Sequence, residues 1–298
     1  MILVAGSANL DFVVRADHIP APGETVLGRD FKTFPGGKGA NQAVACARAG
    51  GVETAMLLGL GNDAFAVPLE ASLQDAGVTL HIKRSAQEPT GTAFICVGDD
   101  AENAITVAPG ANRSLLPTDL VDLQNVSHLV MQLETPIATV CAYASAARAQ
   151  GVTVVLNAAP AQVLPAQLLA DINILIVNEG ELAVVSQHQG SLEDCLARLA
   201  VPLVVVTLGS QGSLARVDGA TLRQTAFKIE PVDTTGAGDT FVGSFVAALS
   251  RGSAVQVALR QASAASALAC LTPGAQSSIP TQAQTQDFLS RNPENPST

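Results

Sequence analysis

The stretch VDTTGAGDTF, Val232 to Phe241, sets Asp239 beside Gly236 and Gly238 at the point where an apolar, helix-like run begins. The first N–H groups of a helix have no intrahelical partner, and the aligned peptide dipoles make that end attractive to anions. A carboxylate at the same place can accept a proton. One short segment thus combines a proton acceptor with a turn able to stabilise developing negative charge. A plainer reading is also open: Asp is favoured at helix starts, and Gly makes tight turns.

GGKGANQAVACARAGG, Gly36 to Gly51, is a second segment of this kind. Glycine lets a ligand approach the backbone closely, as at Gly37, while Lys38 and Asn41 supply donors. A helix is expected to begin near Ala40 and to stop at Gly50-Gly51. Other candidates are Asn9 and Asp11 in GSANLD, Glu134 in MQLET, Asn178 and Glu181 in NEGE, and Thr207, Gly209 and Gly212 in TLGSQG. A late turn, TPGAQSSIP, runs from Thr272 to Pro280. Two common nucleotide-binding patterns are missing from the sequence. No GxxxxGK[ST] occurs, since Lys38 is followed by Gly39, and the glycines at Gly236 read G-x-G-x-x-F late in the chain.

These residues need a frame. From about residue 127 onward, short β-branched runs alternate with Ala/Leu-rich helical ones: HLVMQL, IATVCAYASAARAQ, VTVVLNAA, ILIVN and LVVVTLG. Continuous apolar strands separated by helices predict a parallel sheet covered on both faces. ILVAG at the start and TAMLLG at 54–59 are expected to join it. Glu134, Asn157, Asn178 and Thr207 fall where such strands leave the sheet. Open α/β sheets bind ligands outside the carboxyl ends of their strands, so this edge is expected to be a polar cleft. Residues 10–34 and about 89–107 alternate polar and apolar residues around the turn signals PAPGE and GDDAEN. They predict antiparallel strands in a small sheet that projects as a lid. The chain, 1–298, reads as one α/β domain, with the polar, Pro-rich RNPENPST as a loose end.

Composition removes whole classes of function. Hydrophobic residues are 48% and charged ones 14% of the 298, against about 25% charged in an ordinary domain, which fits a large buried core and excludes disorder. Sixteen Lys+Arg against 26 Asp+Glu give a net charge of −10 with no basic cluster, which argues against nucleic acid. A polyanion would have to be held locally, by backbone N–H groups, a metal or a few cations. No stretch approaches the roughly 20 apolar residues of a membrane span, and MILVAGSANLDFVV reads as a first strand rather than a signal peptide. Cys46, Cys96, Cys141, Cys195 and Cys270 form no CxxC pair, which points to free thiols in a reducing cytoplasm. His18, His81, His128 and His188 match no catalytic motif.

Taken together, the segments from Gly6 to about Pro280 resemble the PfkB family of carbohydrate kinases, and within it the ribokinase branch. DTTGAGDTF carries the family resemblance; GGKGANQA with MQLE carries that to the branch. The resemblance implies a ribokinase-like three-layer α/β/α fold, with a mostly parallel central sheet and a small projecting β-sheet lid. It implies ATP-dependent transfer of the γ-phosphate to the primary 5-hydroxyl of D-ribose or a closely related pentose. A nucleoside or other small-carbohydrate kinase is the alternative, and a non-catalytic sugar or nucleotide sensor the third reading. Asp239 is then the general base, with the backbone amides of Gly236, Ala237 and Gly238 as an anion hole. Asn9, Asp11, Gly37, Lys38, Asn41, Glu134 and Asp239 are expected to bind the sugar. Asn178, Thr207, Gly209, Gly212 and Gly238 fall on the nucleotide side, with Glu181 toward Mg²⁺. Asp233, Thr235, Ala269, Thr272, Gly274 and Ser278 match the surroundings of a monovalent cation, K⁺. A homodimer joined through the lid completes the expectation. The sequence departs from the family at Asn62 in GNDAFA and at Ala158 in LNAAPA, and matches it only loosely over 263–273, SAASALACLTP.

Overall fold

The computed structural model describes residues 1–100, 102–217 and 219–293. Most of the expected loose end, residues 294–298, lies outside the described residues. The chain begins with β1 (Ile2–Ala5), β2 (Asn9–Arg15), β3 (Arg29–Gly36), α1 (Lys38–Arg48), β4 (Thr54–Gly61), α2 (Ala66–Asp75), β5 (Thr79–Ser85), β6 (Gly91–Val97) and β7 (Asn103–Ala108). It continues with β8 (His128–Met131), α3 (Ile137–Ala149), β9 (Thr153–Asn157), α4 (Ala166–Asp171), β10 (Ile174–Asn178), α5 (Glu179–Ser186), α6 (Leu192–Ala197) and β11 (Leu203–Thr207). A hairpin of β12 (Ser213–Val217) and β13 (Ala220–Gln224) precedes α7 (Ala237–Ser250), α8 (Val255–Ala269) and α9 (Gln282–Arg291).

Nine strands form the central sheet in the order β13-β12-β11-β10-β9-β8-β1-β4-β5. From β11 to β5 all neighbours are parallel, and at the other edge β12 runs antiparallel to both β11 and β13. Successive side chains of a strand point to opposite faces, and both faces are apolar. Val4, Met56, Leu58 and Val205 pack on one side with Val44, Phe245 and Leu259 from α1, α7 and α8. Leu3, Leu57, Leu156 and Val206 pack on the other with Tyr143, Leu168, Leu182 and Cys195 from α3 to α6. Fully burying one such side chain contributes roughly 1.5–3 kcal/mol. These two layers, rather than the polar bonds of the site, hold the frame.

The close packing of α1 on α7 positions the chemistry. A Cβ added to Gly243 would lie 2.5 Å from Ala45 Cβ and 2.7 Å from Gln42 O, so only a glycine admits this approach. Gly50 faces Ala247 in the same way one turn away. Small residues on both helices thus bring the start of α7 against the first turns of α1.

The second sheet has four strands in the order β3-β2-β6-β7. Both expected hairpins are present and antiparallel, β2 with β3 and β6 with β7. The expectation of antiparallel strands throughout is corrected at the centre, where β2 and β6 pair in parallel from Asn9↔Gly91 to Arg15↔Val97. The reason lies in the larger sheet. β2 continues from the carboxyl end of β1 and β6 from that of β5, and those two strands run the same way, so both lid strands leave the body in one direction. Among the described residues no helix is long and apolar enough to cross a membrane.

Candidate active site

α1 begins at Lys38, two residues before the expected start near Ala40. Its cap is Gly37, at φ 90° and ψ 133°, where an added Cβ would lie 2.7 Å from both Ala8 Cα and Asn9 N. No side chain of Gly37 can satisfy the first N–H groups, so the neighbouring elements do. Lys38 N donates to Glu134 Oε2 at 3.2 Å, Gly39 N donates to Ser7 Oγ at 3.3 Å, and Ser7 Oγ donates to the same Glu134 oxygen at 2.5 Å. Glu134 therefore puts a negative charge on the positive end of α1.

Asp239 lies in the first turn of α7, whose cap, Gly236, is left-handed at φ 74°. Asn41 Nδ2 donates to Asp239 Oδ2 and Gln42 Nε2 to Asp239 Oδ1, both at 2.9 Å. Burial pushes the Asp239 carboxyl above its ordinary value, opposed by the Lys38 charge and these two donors, while Glu134 adds to the rise. Burial works against the Lys38 ammonium, yet Asp239, Glu134 and Glu181 more than offset it, so its pKa stands above the usual lysine value. In the turn expected to form an anion hole, Ala237 N donates back to Thr234 O at 3.2 Å. A Cβ added to Gly238 would meet nothing within 4 Å, so that glycine borders open space. Asn41 Oδ1 is buried without a hydrogen-bond partner among the described residues, an acceptor left over beside the carboxylate.

Asn9 and Asp11 reach this cluster from β2. Asn9 Oδ1 accepts from Asn112 Nδ2 at 2.7 Å, and Asn112 also brackets Ala8 through its N–H at 3.0 Å and its carbonyl at 3.2 Å. Burial first, then the charges of Glu134 and Asp239, pushes the Asp11 carboxyl up to about 7. An acid raised in the folded state keeps its proton longer folded than unfolded, so stability falls as pH climbs from about 4 to about 7 and stays reduced above that. Asp11→Asn is accordingly expected to raise Tm by a few degrees at pH 8.5 and by little or nothing at pH 5. Calorimetry at the two pH values checks this, and an equal effect at both rules it out.

The residues expected on the nucleotide side lie at or just beyond the ends of adjacent strands. Asn178 and Thr207 are register partners on β10 and β11. Asn178 Oδ1 accepts from Glu181 N and Glu181 Oε2 accepts from Asn178 N, each at 2.8 Å, a reciprocal pair that closes the start of α5. Burial raises the Glu181 carboxyl and Asp239 adds to it, while Asn178 N and Lys38 lower it, so Glu181 shares the field of the same charged cluster. Gly209, at φ 55°, has open space where a Cβ would stand. Gly212 instead packs its backbone against 224–226, on the β12–β13 side.

The monovalent-cation candidates form two tied loops. Asp233 Oδ1 accepts from Thr235 N at 2.9 Å and Oδ2 from Gly274 N at 2.8 Å. Burial alone would raise this carboxyl; the two N–H groups and Arg15 bring it below its ordinary value, so it stays ionised. Ala269 O accepts from Thr272 N at 3.4 Å, and Ser278 Oγ donates to Ala275 O at 2.9 Å. Ala275 in turn packs on Gly236. One ionised carboxylate amid hydroxyls and carbonyls fits a monovalent cation. For Mg²⁺ the fit is different. Mg²⁺ is commonly held by one or two carboxylates together with substrate phosphates, and Glu181 is the carboxylate expected toward it; among the described residues no group of three His, Cys, Asp or Glu gathers around one point.

Four fully buried residues that the sequence reading passed over complete the site: Ser7, Gln42, Asn112 and Gln132. Gln42 and Gln132 were within reach, inside GGKGANQA and MQLE, because a fully buried glutamine demands partners. Asn112 follows no local pattern. His18 pairs with Glu24 at 2.8 Å on the lid side, and all five cysteines are free.

A covered parallel sheet with a carboxylate and a lysine converging at its carboxyl edge, under a small second sheet, defines a phosphotransferase acting on a small molecule. The chain belongs to the pfkB family of carbohydrate kinases, whose model matches residues 1–282. It is 38% identical to ribokinase of Haemophilus influenzae, over 97% of this chain and 98% of that one. It is 32% identical to deoxyribokinase of Salmonella typhi, over 98% and 99%. Among solved structures it is similar to Arabidopsis thaliana ribokinase complexed with ribose and ATP, with a TM-score of 0.89 at 33% identity, covering 97% of this chain and 98% of that one.

Proposed function

We propose that this chain transfers the γ-phosphate of ATP to the primary 5-hydroxyl of D-ribose or a closely related pentose. The observation that carries the reading is the Asp239 carboxylate, held by Asn41 and Gln42 in the first turn of α7, with Gly238 open beside it. Asp239 takes the proton of the attacking hydroxyl. The amides of Gly236, Ala237 and Gly238 face the phosphoryl oxygens at the helix end, where fixed dipoles stabilise developing charge. Phosphoryl transfer asks mainly for positioning and charge stabilisation. Asn9, Asp11, Gly37, Lys38, Asn41 and Glu134 hold the sugar, offering carboxylates and amides to vicinal hydroxyls that both donate and accept. Asn178, Thr207, Gly209 and Gly212 serve the nucleotide, and Glu181 would help hold a Mg²⁺ ion, which would supply positive charge to its phosphates. Asp233, Thr235, Ala269, Thr272, Gly274 and Ser278 would hold K⁺, whose charge would tie together the loops on either side of Gly236. The relatives named for ribose and deoxyribose support a pentose acceptor, and the free thiols suit a cytoplasmic setting.

ADP release from ATP and Mg²⁺ with a panel of D-ribose, 2-deoxyribose, other pentoses, hexoses and nucleosides tests the reading, with and without K⁺. Turnover led by ribose is expected. Turnover led by deoxyribose or by a nucleoside selects the second reading, and no ADP with any acceptor eliminates a kinase.

The same reading includes a homodimer joined through the lid. Phe94 and Phe31 are 54% and 62% exposed, and Phe12 stacks on them with ring centres 5.4 and 6.1 Å away. A four-stranded sheet with such a face is poorly covered alone. Phe94→Asp is expected to halve the mass seen by light scattering at micromolar concentration. A parent protein that is already monomeric there removes the proposal.

A further inference from the structure

Gln42, 0% exposed on α1, lies between Asp239 and the central sheet. Its Nε2 donates to Asp239 Oδ1 and to Asn157 Oδ1, both at 2.9 Å, and its Oε1 accepts from Gln132 Nε2 at 2.6 Å. Asn157 Nδ2 donates to the main-chain oxygen of Ile176 at 3.1 Å. A side-chain amide can present either end to a neighbour. One link of this chain cannot be reversed, because the Ile176 carbonyl only accepts. Asn157 must give it the NH₂ group, which turns the Asn157 oxygen toward Gln42. Gln42 must answer with its own NH₂, whose two hydrogens then go to Asn157 and Asp239, and its oxygen is left for Gln132. The backbone of β10 thereby decides that the group facing Asp239 is a donor. Asn41 places a second donor on the other oxygen.

We propose that Gln42 is a positioning residue: through Asn157 and the Ile176 carbonyl, it keeps Asp239 aimed and in its proton-accepting form. The inference rests on the proposed role of Asp239. The two donated hydrogen bonds, from Gln42 and Asn41, favour the carboxylate over the acid. The surroundings make that help necessary. Lys38 on α1 supports the charge, whereas Asp11 on β2, Glu134 after β8 and Glu181 on α5 oppose it, and so does burial. With Gln42 gone, the balance shifts toward the neutral acid, which cannot take the hydroxyl proton.

Gln42→Met has nearly the same length and no donors. With ATP, Mg²⁺ and the best sugar of the panel, kcat near neutral pH is expected to fall about tenfold, with the sugar KM within about threefold. The acid limb of kcat against pH is expected to move up by about one unit. Asn157→Leu removes the link that orients Gln42, and should move the same limb upward by about half a unit. It decides the matter alone if Gln42→Met does not fold. A lower Tm with an unmoved acid limb in whichever variant folds overturns the inference, since a merely structural role shows that pattern. Asp239→Asn run in parallel keeps the two ideas apart. If it retains the parent rate, the base assignment fails and this inference with it. If it loses rate while Gln42→Met keeps the parent kcat and limb, only the positioning role fails.

Discussion

Asp239→Asn is expected to lower kcat by roughly 10²–10⁴-fold, the range for removal of a positioned general base. The substitution keeps the shape of the side chain and the α7 backbone around it. It removes a buried charge that burial disfavours, and it turns an NH₂ group against a donor of Asn41 or Gln42. The first change stabilises and the second destabilises, so Tm should move by only a few degrees. Steady-state ADP release, with a melting curve on the same sample, separates lost chemistry from lost fold. Activity within tenfold of the parent, on a folded variant, takes Asp239 out of the base role. The lysine gives a further check. Asp239 is the foremost of the three carboxylates that raise Lys38, so the variant should lower the Lys38 pKa.

Gly37→Ala should raise the sugar KM at least tenfold and lower Tm by roughly 5–10 °C. At φ 90° and ψ 133° the backbone of residue 37 stands where L side chains seldom go, at a cost on the order of 1–3 kcal/mol. The added methyl also points at Ala8 Cα and Asn9 N, each 2.7 Å away, and main chain cannot swing aside as a flexible side chain could. For a chain of this size each kcal/mol corresponds to about 2–4 °C. The relaxation must push β2 away from α1, which displaces Asn9 and Asp11 from Lys38 and Asn41. Gly77→Ala is the matched control. It also has positive φ, at 79°, but nothing stands within 4 Å of the new methyl. It should show a smaller loss of Tm and no change in KM. A Gly37→Ala protein with parent KM and Tm contradicts this account of the α1 cap.

Legibility varied with how local the cause is. The strands of the central sheet were visible because both faces are buried, so runs such as LVVV are apolar throughout. The lid hairpins were visible because one side of each strand is exposed and the residues alternate. Their mutual direction was not visible, since it depends on β1 and β5 lying parallel in a different sheet. The start of α1 was misplaced by two residues because its first N–H groups are satisfied by Ser7 and Glu134, far away in sequence. Asn178-x-x-Glu181 carries two meanings in sequence, a helix capping box and a ligand pair. The structure shows the capping bonds, and the phosphate role stays with the proposal.

The sequence by itself determined the class of sheet, the polar edge where its strands end, and the segments that carry the candidate base, the glycine turns and the sugar-side donors. Periodicity and turn chemistry are properties of neighbouring residues, so they can be read along the chain. Only the tertiary structure decided that Asn41 and Gln42 grip Asp239, that Asn112 clamps Asn9, and that a backbone carbonyl of β10 orients the amides beneath the carboxylate. Each of those contacts joins residues tens to hundreds of positions apart. The grip of Asn41 and Gln42 on Asp239 is set by how closely α1 and α7 pack through Gly243, Ala45, Gly50 and Ala247, a consequence of volume rather than of any local pattern.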